Sequence, residues 1–164
     1  MGESACGFWV SYRFIRVYSY SLVMNALIVG VGRVEKMKVY NSYAKLLRLP
    51  RNANVLACGE NADINLKWDN DWPEDARELF DIIIFHNTLE KQQNLDKALN
   101  NARTLLKRSG ILIIRTNKHS TPRLNNFLTH NFKVLREYYG AWFTHKIPLT
   151  KHLTRNITII ARKP

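Results

Sequence analysis

The chain has 164 residues, of which 46% are hydrophobic, and this length suffices for one domain with a buried core but not for two ordinary domains. Its two cysteines, Cys6 and Cys58, stand alone in the sequence, so we expect neither a disulfide framework nor a cysteine-based zinc site. The formal net charge is +12, and its distribution along the chain is more informative than its total.

The positive charge is concentrated in the C-terminal part of the chain. Residues 1–101 contain 12 Lys and Arg against 12 Asp and Glu, whereas residues 102–164 contain 13 Lys and Arg and one acid, Glu137. This asymmetry indicates that part of the surface meets an anionic substrate or partner, with nucleic acid or an acidic membrane face as candidates. The alternative interpretation is a solvated surface that keeps the protein soluble.

The first 36 residues are apolar and aromatic but show neither a helical stripe nor a strand alternation. Their longest uncharged run, residues 17–32, has 16 residues, which is shorter than the roughly 20 apolar residues of a membrane span. We therefore expect no membrane span, and the run lacks the pattern of a signal peptide. We interpret residues 1–36 as an N-terminal extension of unclear role, residues 37–164 as a single domain, and the protein as cytoplasmic.

Helical and strand patterns become regular after this extension. Apolar residues at helical spacing predict a helix that ends near Leu49, because Pro50 cannot continue it. The apolar run 54–58, closed by Gly59, predicts a buried strand and a turn. Residues 64–68 predict a second, shorter strand.

The central part of the chain predicts a parallel sheet. Residues 80–85 form a near-continuous β-branched run, typical of a strand buried on both faces. A helix up to Leu106 and a strand at residues 111–114 complete a βαβ unit. One more helix and two strands follow, at residues 122–129, 132–139 and 156–161. The prediction is one α/β domain with a doubly wound, mostly parallel sheet and an antiparallel C-terminal strand.

Four segments resemble class I S-adenosylmethionine-dependent methyltransferases. The run VLACG at residues 55–59 resembles the first strand and glycine loop of that family, and FDIIIFHNTLE at residues 80–90 resembles its fourth strand with the following loop. Residues 105–117 resemble the fifth strand with the helix end before it, and the closing ITIIARKP resembles the last strand. The resemblance implies a Rossmann-like fold with S-adenosylmethionine as cofactor.

The resemblance also implies which residues bind that cofactor. Gly59 would let the backbone approach the methionine part, and an acid after the second strand would accept hydrogen bonds from the ribose hydroxyls. Asp69 is the first choice for this acid and Asp71 the next, although both would also suit a solvated turn. The implied cofactor-binding residues are Ala57, Cys58, Gly59, Glu60, Asp69, Asp71 and Phe85.

A second alignment with the family shifts the first strand upstream. It places the first strand at residues 26–29, with Gly30 and Gly32 as the glycine loop, and makes residues 54–60 the second strand with Glu60 as the ribose acid. We favour the first alignment, because the helix, proline and strand that lead into VLACG match the family better.

Methyl transfer requires alignment of the acceptor with the methyl group and, where necessary, removal of a proton. His86 is a candidate general base, and Asn87 is a candidate for positioning the acceptor or the cofactor's amino group. His86 could equally be a strand-end histidine without a chemical role. The motif typical of enzymes that methylate exocyclic amino groups is absent from HNTLE, which weakens the case for a base-amino substrate.

Candidate substrate-binding residues follow the fifth strand of the family alignment and lie in the C-terminal connection. Aromatic rings among cations suit stacking on bases and binding of phosphates, although core packing is a competing interpretation for the aromatic ones. The candidates are Arg115, Asn117, Tyr139, Trp142, His145 and Lys146.

The sequence therefore predicts a methyltransferase that uses S-adenosylmethionine and acts on an anionic or nucleic-acid-associated acceptor. The alternative is a non-catalytic protein of the same fold that binds nucleic acid or a protein partner through its basic C-terminal surface.

Overall fold

The computed structural model describes residues 23–72, 76–117, 121–139 and 156–164. Within these ranges the chain forms β1 (Asn25–Val29), α1 (Lys36–Leu47), β2 (Asn54–Cys58), β3 (Phe80–His86), α2 (Leu95–Leu105), β4 (Leu106–Asn117), α3 (Thr121–Asn131), β5 (Lys133–Tyr139) and β6 (Asn156–Arg162). A short 3-10 turn at Leu89–Lys91 lies between β3 and α2. None of the helices in these ranges has the length and apolar character that crossing a membrane requires.

The six strands form one sheet in the order β2-β1-β3-β4-β6-β5. Strands β1 to β4 are parallel, and β6 runs antiparallel to both β4 and β5. The doubly wound, mostly parallel sheet with an antiparallel C-terminal strand is thus confirmed. We call the side on which β1 to β4 end the carboxyl edge, and the side on which they begin the amino edge.

Strand β1 corrects two predictions made from the sequence. It lies between β2 and β3, and all five of its residues are buried, so the domain begins before Met37 and the boundary at residues 36/37 was wrong. The favoured family alignment was also wrong, because VLACG belongs to the second strand. The run NALIV was a strand only in the second alignment, because it lies within a long uncharged stretch that marks neither end of a strand.

The predicted strand at residues 64–68 is reduced to a single parallel bridge between Cys58 and Ile64. The segment is instead held by side chains, since the indole Nε1 of Trp68 donates a 2.7 Å hydrogen bond to the carbonyl of Ala98 in α2. Asn101 Nδ2 donates 2.8 Å to the Trp68 carbonyl in return. This pair of contacts fixes residues 64–68 over the sheet without a strand.

Helices cover both faces of the sheet, as a doubly wound fold requires. On one face, α2 and α3 pack on alternate residues of the strands, with Leu99, Leu128 and Ile83 fully buried. On the other face, α1 contributes Tyr40 and Tyr43, which are buried against the remaining strand residues.

One carboxylate joins three strands at the amino edge. Asp81 accepts a 2.8 Å hydrogen bond from the backbone N–H of Asn25, which opens β1. The same carboxylate pairs with Lys107 near the start of β4 at 3.0 Å. These contacts set β1 in register against β3 and leave the carboxyl edge open for a ligand.

We predict that a chain starting at Met37 does not fold. The truncation removes β1, so β2 and β3 lose their shared neighbour and the buried faces of Ile28 and Val29 are lost. Circular dichroism and thermal unfolding of the truncated and full chains check this. A cooperative unfolding transition in the truncated chain would contradict the central placement of β1.

Candidate functional site

A cleft of about 440 Å³ opens at the carboxyl edge, on the face that α2 covers. It lies where the chain order reverses, because β1 has β2 on one side and β3 on the other. Ligands of open α/β sheets bind outside the carboxyl ends of the strands at this reversal point. The cleft is lined by the ends of β1 and β2, by Thr88 after β3, and by residues 65–69 and 91–93.

Gly30 is the point at which the loops after the first three strands meet. Its φ of +91° lies in the left-handed region, and a Cβ at this position would lie 1.6 Å from Thr88 Cγ2. Its backbone N–H donates a 3.0 Å hydrogen bond to the carbonyl of Cys58 at the end of β2. No side chain fits there, so glycine is required both for the backbone conformation and for the close approach.

Asp63 locks the loops after β1 and β2 together. Its carboxylate accepts a 2.8 Å hydrogen bond from the backbone N–H of Ala57. It also forms ion pairs with Arg33 at 3.1 Å and Lys36 at 2.6 Å, on the loop and first turn that follow β1. Sequence reasoning missed Asp63, because its cationic partners lie about thirty positions away and no local pattern marks them.

The acids near the cleft differ in their hydrogen-bond and ion-pair partners. Asp69 lines the cleft, but its Oδ2 accepts backbone hydrogen bonds from Gln93 at 3.1 Å and Asn94 at 3.4 Å. Asp71 lies outside the cleft lining and pairs with Lys97 at 2.7 Å. Glu60 lines the cleft two residues after β2, is exposed, and forms no ion pair within the described part of the chain.

An aromatic wall closes one side of the cleft. Trp68 packs edge-on against Phe85 with ring centroids 5.2 Å apart, and against Trp72 at 5.0 Å. Phe85 is fully buried in β3 and does not line the cleft, so its contact with the cleft is through Trp68. The wall offers an apolar surface beside the polar mouth of the cleft.

The loop after β3 is held at both ends. Asn87 is exposed, adopts a φ of +54°, and donates its backbone N–H to the carbonyl of Arg115 at 3.0 Å. Glu90 accepts a 2.8 Å hydrogen bond from the hydroxyl of Thr116 and a 2.9 Å hydrogen bond from Asn117 Nδ2. It also accepts a hydrogen bond from the backbone N–H of Asn117. Asn117 therefore contacts Glu90 at the end of β4.

This loop carries a buried hydroxyl at the cleft. Thr88 is 7% exposed, and its Oγ1 has no hydrogen-bond partner within the described residues. A buried hydroxyl without a partner is costly and is rare in native proteins. Because Thr88 lines the cleft, the side of the cleft formed by the loop after β3 is polar.

His86 faces the opposite side of the sheet, towards α1. Its Nδ1 lies 3.0 Å from the hydroxyl of Tyr43, and both residues line a second cavity of about 330 Å³ that also borders Gly30. Burial lowers the pKa of His86, the Arg115 guanidinium lowers it further, and Glu35 acts in the opposite direction. The imidazole is therefore neutral around neutral pH.

Two cofactor-site candidates from the sequence are core residues. Ala57 and Cys58 are fully buried in β2, and the Cys58 thiol donates 3.4 Å to the carbonyl of Leu66. Burial raises the pKa of the Cys58 thiol to about 12, so the group stays protonated and is not a nucleophile. Cys58 reaches the floor of the cleft, where Gly59 follows it.

A comparison with protein families shows to which family the chain belongs. A family model described as a methyltransferase domain matches residues 59–162, well over half of the chain. The chain belongs to this methyltransferase domain family. The match begins at the end of β2, so β1 and Gly30 lie outside it and are placed by the structure.

Solved methyltransferase structures share the fold. A protein from Aquifex aeolicus described as SAM-dependent is 12% identical, with 99% of this chain and 94% of that chain covered and a TM-score of 0.57. A SAM-dependent methyltransferase from Archaeoglobus fulgidus is 12% identical, with 96% of this chain and 94% of that chain covered and a TM-score of 0.57. The N-methyltransferase NodS from Bradyrhizobium japonicum, solved with S-adenosyl-L-homocysteine, is 14% identical. The comparison covers 95% of this chain and 86% of that chain, with a TM-score of 0.56. No curated protein sequence matches significantly.

The remaining substrate-site candidates of this methyltransferase domain are spread apart. Arg115 lies two residues before the end of β4, beside His86 and Tyr43. Tyr139 ends β5, two strands away from β4 in the sheet, and its hydroxyl donates 2.9 Å to Glu137. Three further candidates lie outside the described residues: Trp142, His145 and Lys146.

We predict that Gly30→Ala lowers the free energy of unfolding by about 1–3 kcal/mol, because the new Cβ meets Thr88 and the backbone is left-handed. Gly32→Ala is the matched control, since the nearest atom to its Cβ is the Asn61 carbonyl oxygen at 3.8 Å. Urea unfolding of the two variants provides the measurement. Equal stability of both would show that the loops do not meet at Gly30.

Proposed function

We propose that the protein binds S-adenosylmethionine in the carboxyl-edge cleft and transfers its methyl group to an anionic or nucleic-acid-associated acceptor. The observation that carries this proposal is the convergence of the loops after β1, β2 and β3 at Gly30. This convergence places backbone without side chains, and the acid Glu60, at the point where the strand order of the sheet reverses.

The lining of the cleft suits the parts of this cofactor. Gly30 and Gly59 allow the methionine part to approach the backbone. Trp68 and Leu66 supply an apolar wall for the adenine ring, and the hydroxyl of Thr88 is an unused polar group beside them. The volume of about 440 Å³ falls within the usual range of small-molecule sites.

Glu60 is the best candidate for the ribose hydroxyls. The residue lies two positions after the end of β2, as the second of the two family alignments requires. Asp69 has its Oδ2 committed to two backbone N–H groups, and Asp71 is committed to Lys97. A carboxylate that is not otherwise engaged accepts both hydroxyl hydrogen bonds at lower cost.

The protein's own contribution to the chemistry is alignment and proton removal. When bound, S-adenosylmethionine supplies an activated methyl group on a sulfonium. Glu90 and Asp63 fix the loops that border the cleft, so the acceptor meets an ordered site. His86 borders the second cavity, which shares Gly30 with the cleft, and its neutral ring can accept a proton from the acceptor.

Calorimetric titration with S-adenosyl-L-homocysteine tests the proposal. We predict that Glu60→Gln weakens binding about 10- to 100-fold, because charge-assisted hydrogen bonds contribute about 1.5–3 kcal/mol. Asp71→Asn, which also removes one carboxylate charge, is expected to bind like the wild type. Absence of binding to the wild-type chain at millimolar ligand would contradict the proposed function and favour the non-catalytic alternative. Equal weakening by both variants would contradict the role of Glu60.

A further inference from the structure

A row of arginines crosses the amino edge of the sheet, opposite the cofactor cleft. The end of α1 and the turn before β2 supply two of them, and the segment before β3 supplies a third. The last turn of α2, the start of β4 and the end of β6 supply the others. We call this set the amino-edge row: Arg48, Arg51, Arg77, Arg103, Arg108 and Arg162.

Backbone contacts bring four of these arginines together. The N–H of Glu78 donates 3.0 Å to the carbonyl of Thr104, which sets Arg77 beside the turn that carries Arg103. The N–H of Lys163 donates 3.0 Å to the carbonyl of Gly110, which sets Arg162 beside the start of β4. Because adjacent strands lie about 4.8 Å apart, the row spans about 19 Å, from β2 to β6.

The acids of this edge do not neutralise the row. Asp81 pairs with Lys107, and Glu78 pairs with Lys163. In the described part of the chain, none of the six arginines forms an ion pair, and all six are exposed. The acids at this edge thus balance lysines and leave the guanidinium groups open to a ligand.

Local structure explains little of this pattern. A cation in the last turn of a helix interacts favourably with the helix dipole, but only Arg103 of the row occupies such a position. Arg48 follows α1 with a φ of +55°, where glycine is usual and a larger side chain is disfavoured. The carboxyl edge, by contrast, mixes cations with acids such as Glu60, Asp63 and Asp69.

We propose that the amino-edge row binds the sugar–phosphate backbone of a nucleic acid. The planar guanidinium donates paired hydrogen bonds to phosphate oxygens, and six such exposed groups along one edge of the sheet match the successive phosphates of a nucleic acid. Strand β3 has seven residues, so about 20 Å separates the row from the cofactor cleft. The row is therefore a docking surface distinct from the methyl-transfer site.

The test compares two triple variants of the full chain that lose the same charge. One is Arg77→Gln/Arg108→Gln/Arg162→Gln in the row. The control, Lys97→Gln/Arg123→Gln/Arg136→Gln, removes the half-buried Lys97 and the exposed Arg123 and Arg136, which lie outside the row. Fluorescence anisotropy with a labelled 20-nucleotide single-stranded RNA gives the affinities at several salt concentrations, and thermal unfolding shows that both variants are folded.

We expect the row variant to raise the Kd at least about tenfold at 0.1 M salt and to lower the slope of log affinity against log salt by about 2, since three phosphate contacts are lost. The control is expected to change the Kd no more than about twofold. Equal loss in both variants, or no RNA binding by the wild type, would overturn the proposal. So would a row-dependent affinity for vesicles containing phosphatidylserine without affinity for RNA. Cofactor affinity is measured separately, so failure of either proposal is distinguishable.

Discussion

The close approach of Gly30 to Thr88 is the constraint on which the site depends. Thr88 Cγ2 occupies the space that a Cβ on residue 30 would need, and the N–H of Gly30 is bound to the carbonyl of Cys58. The loops after three parallel strands thus meet at the backbone of Gly30. This convergence is possible only because β1 lies between β2 and β3, and it leaves a cleft on one side and the cavity of His86 on the other.

Two carboxylates hold this convergence in place from outside. Asp63 joins the loops after β1 and β2, and Glu90 joins the loop after β3 to the end of β4. Each carboxylate fixes the position of a loop that borders the cleft, and a site for aligned group transfer needs such fixed positions. The amino edge has a different chemistry, since among the described residues Asp81 and Glu78 pair with lysines while the six arginines of the row are exposed. One sheet thereby presents a ligand cleft at one edge and a polycationic row at the other.

The sequence predicted β3, α2 and β4 because continuous apolar runs and helical periodicity are local signals. Strand β1 was predicted only in the second alignment, because NALIV lies within a long uncharged stretch that marks neither end of a strand. The helix and proline before VLACG then favoured the wrong alignment, since α1 and β2 produce the same local pattern. The preference for Asp69 had a similar origin: only the fold reveals that its Oδ2 binds two backbone N–H groups. The sequence shows the C-terminal excess of positive charge, but only Arg103, Arg108 and Arg162 of the amino-edge row belong to it, and their position at that edge depends on strand direction.

The most direct test of the account is nuclear magnetic resonance of the ¹⁵N-labelled full chain during titration with S-adenosyl-L-homocysteine. The account predicts saturable amide shifts that are largest at Gly30, Gly59, Glu60 and Thr88. Amides at the amino edge, such as those of Arg77 and Lys163, should remain unmoved. Shifts centred elsewhere, or no shifts at millimolar ligand, would contradict the placement of the cofactor site at the meeting point of the three loops.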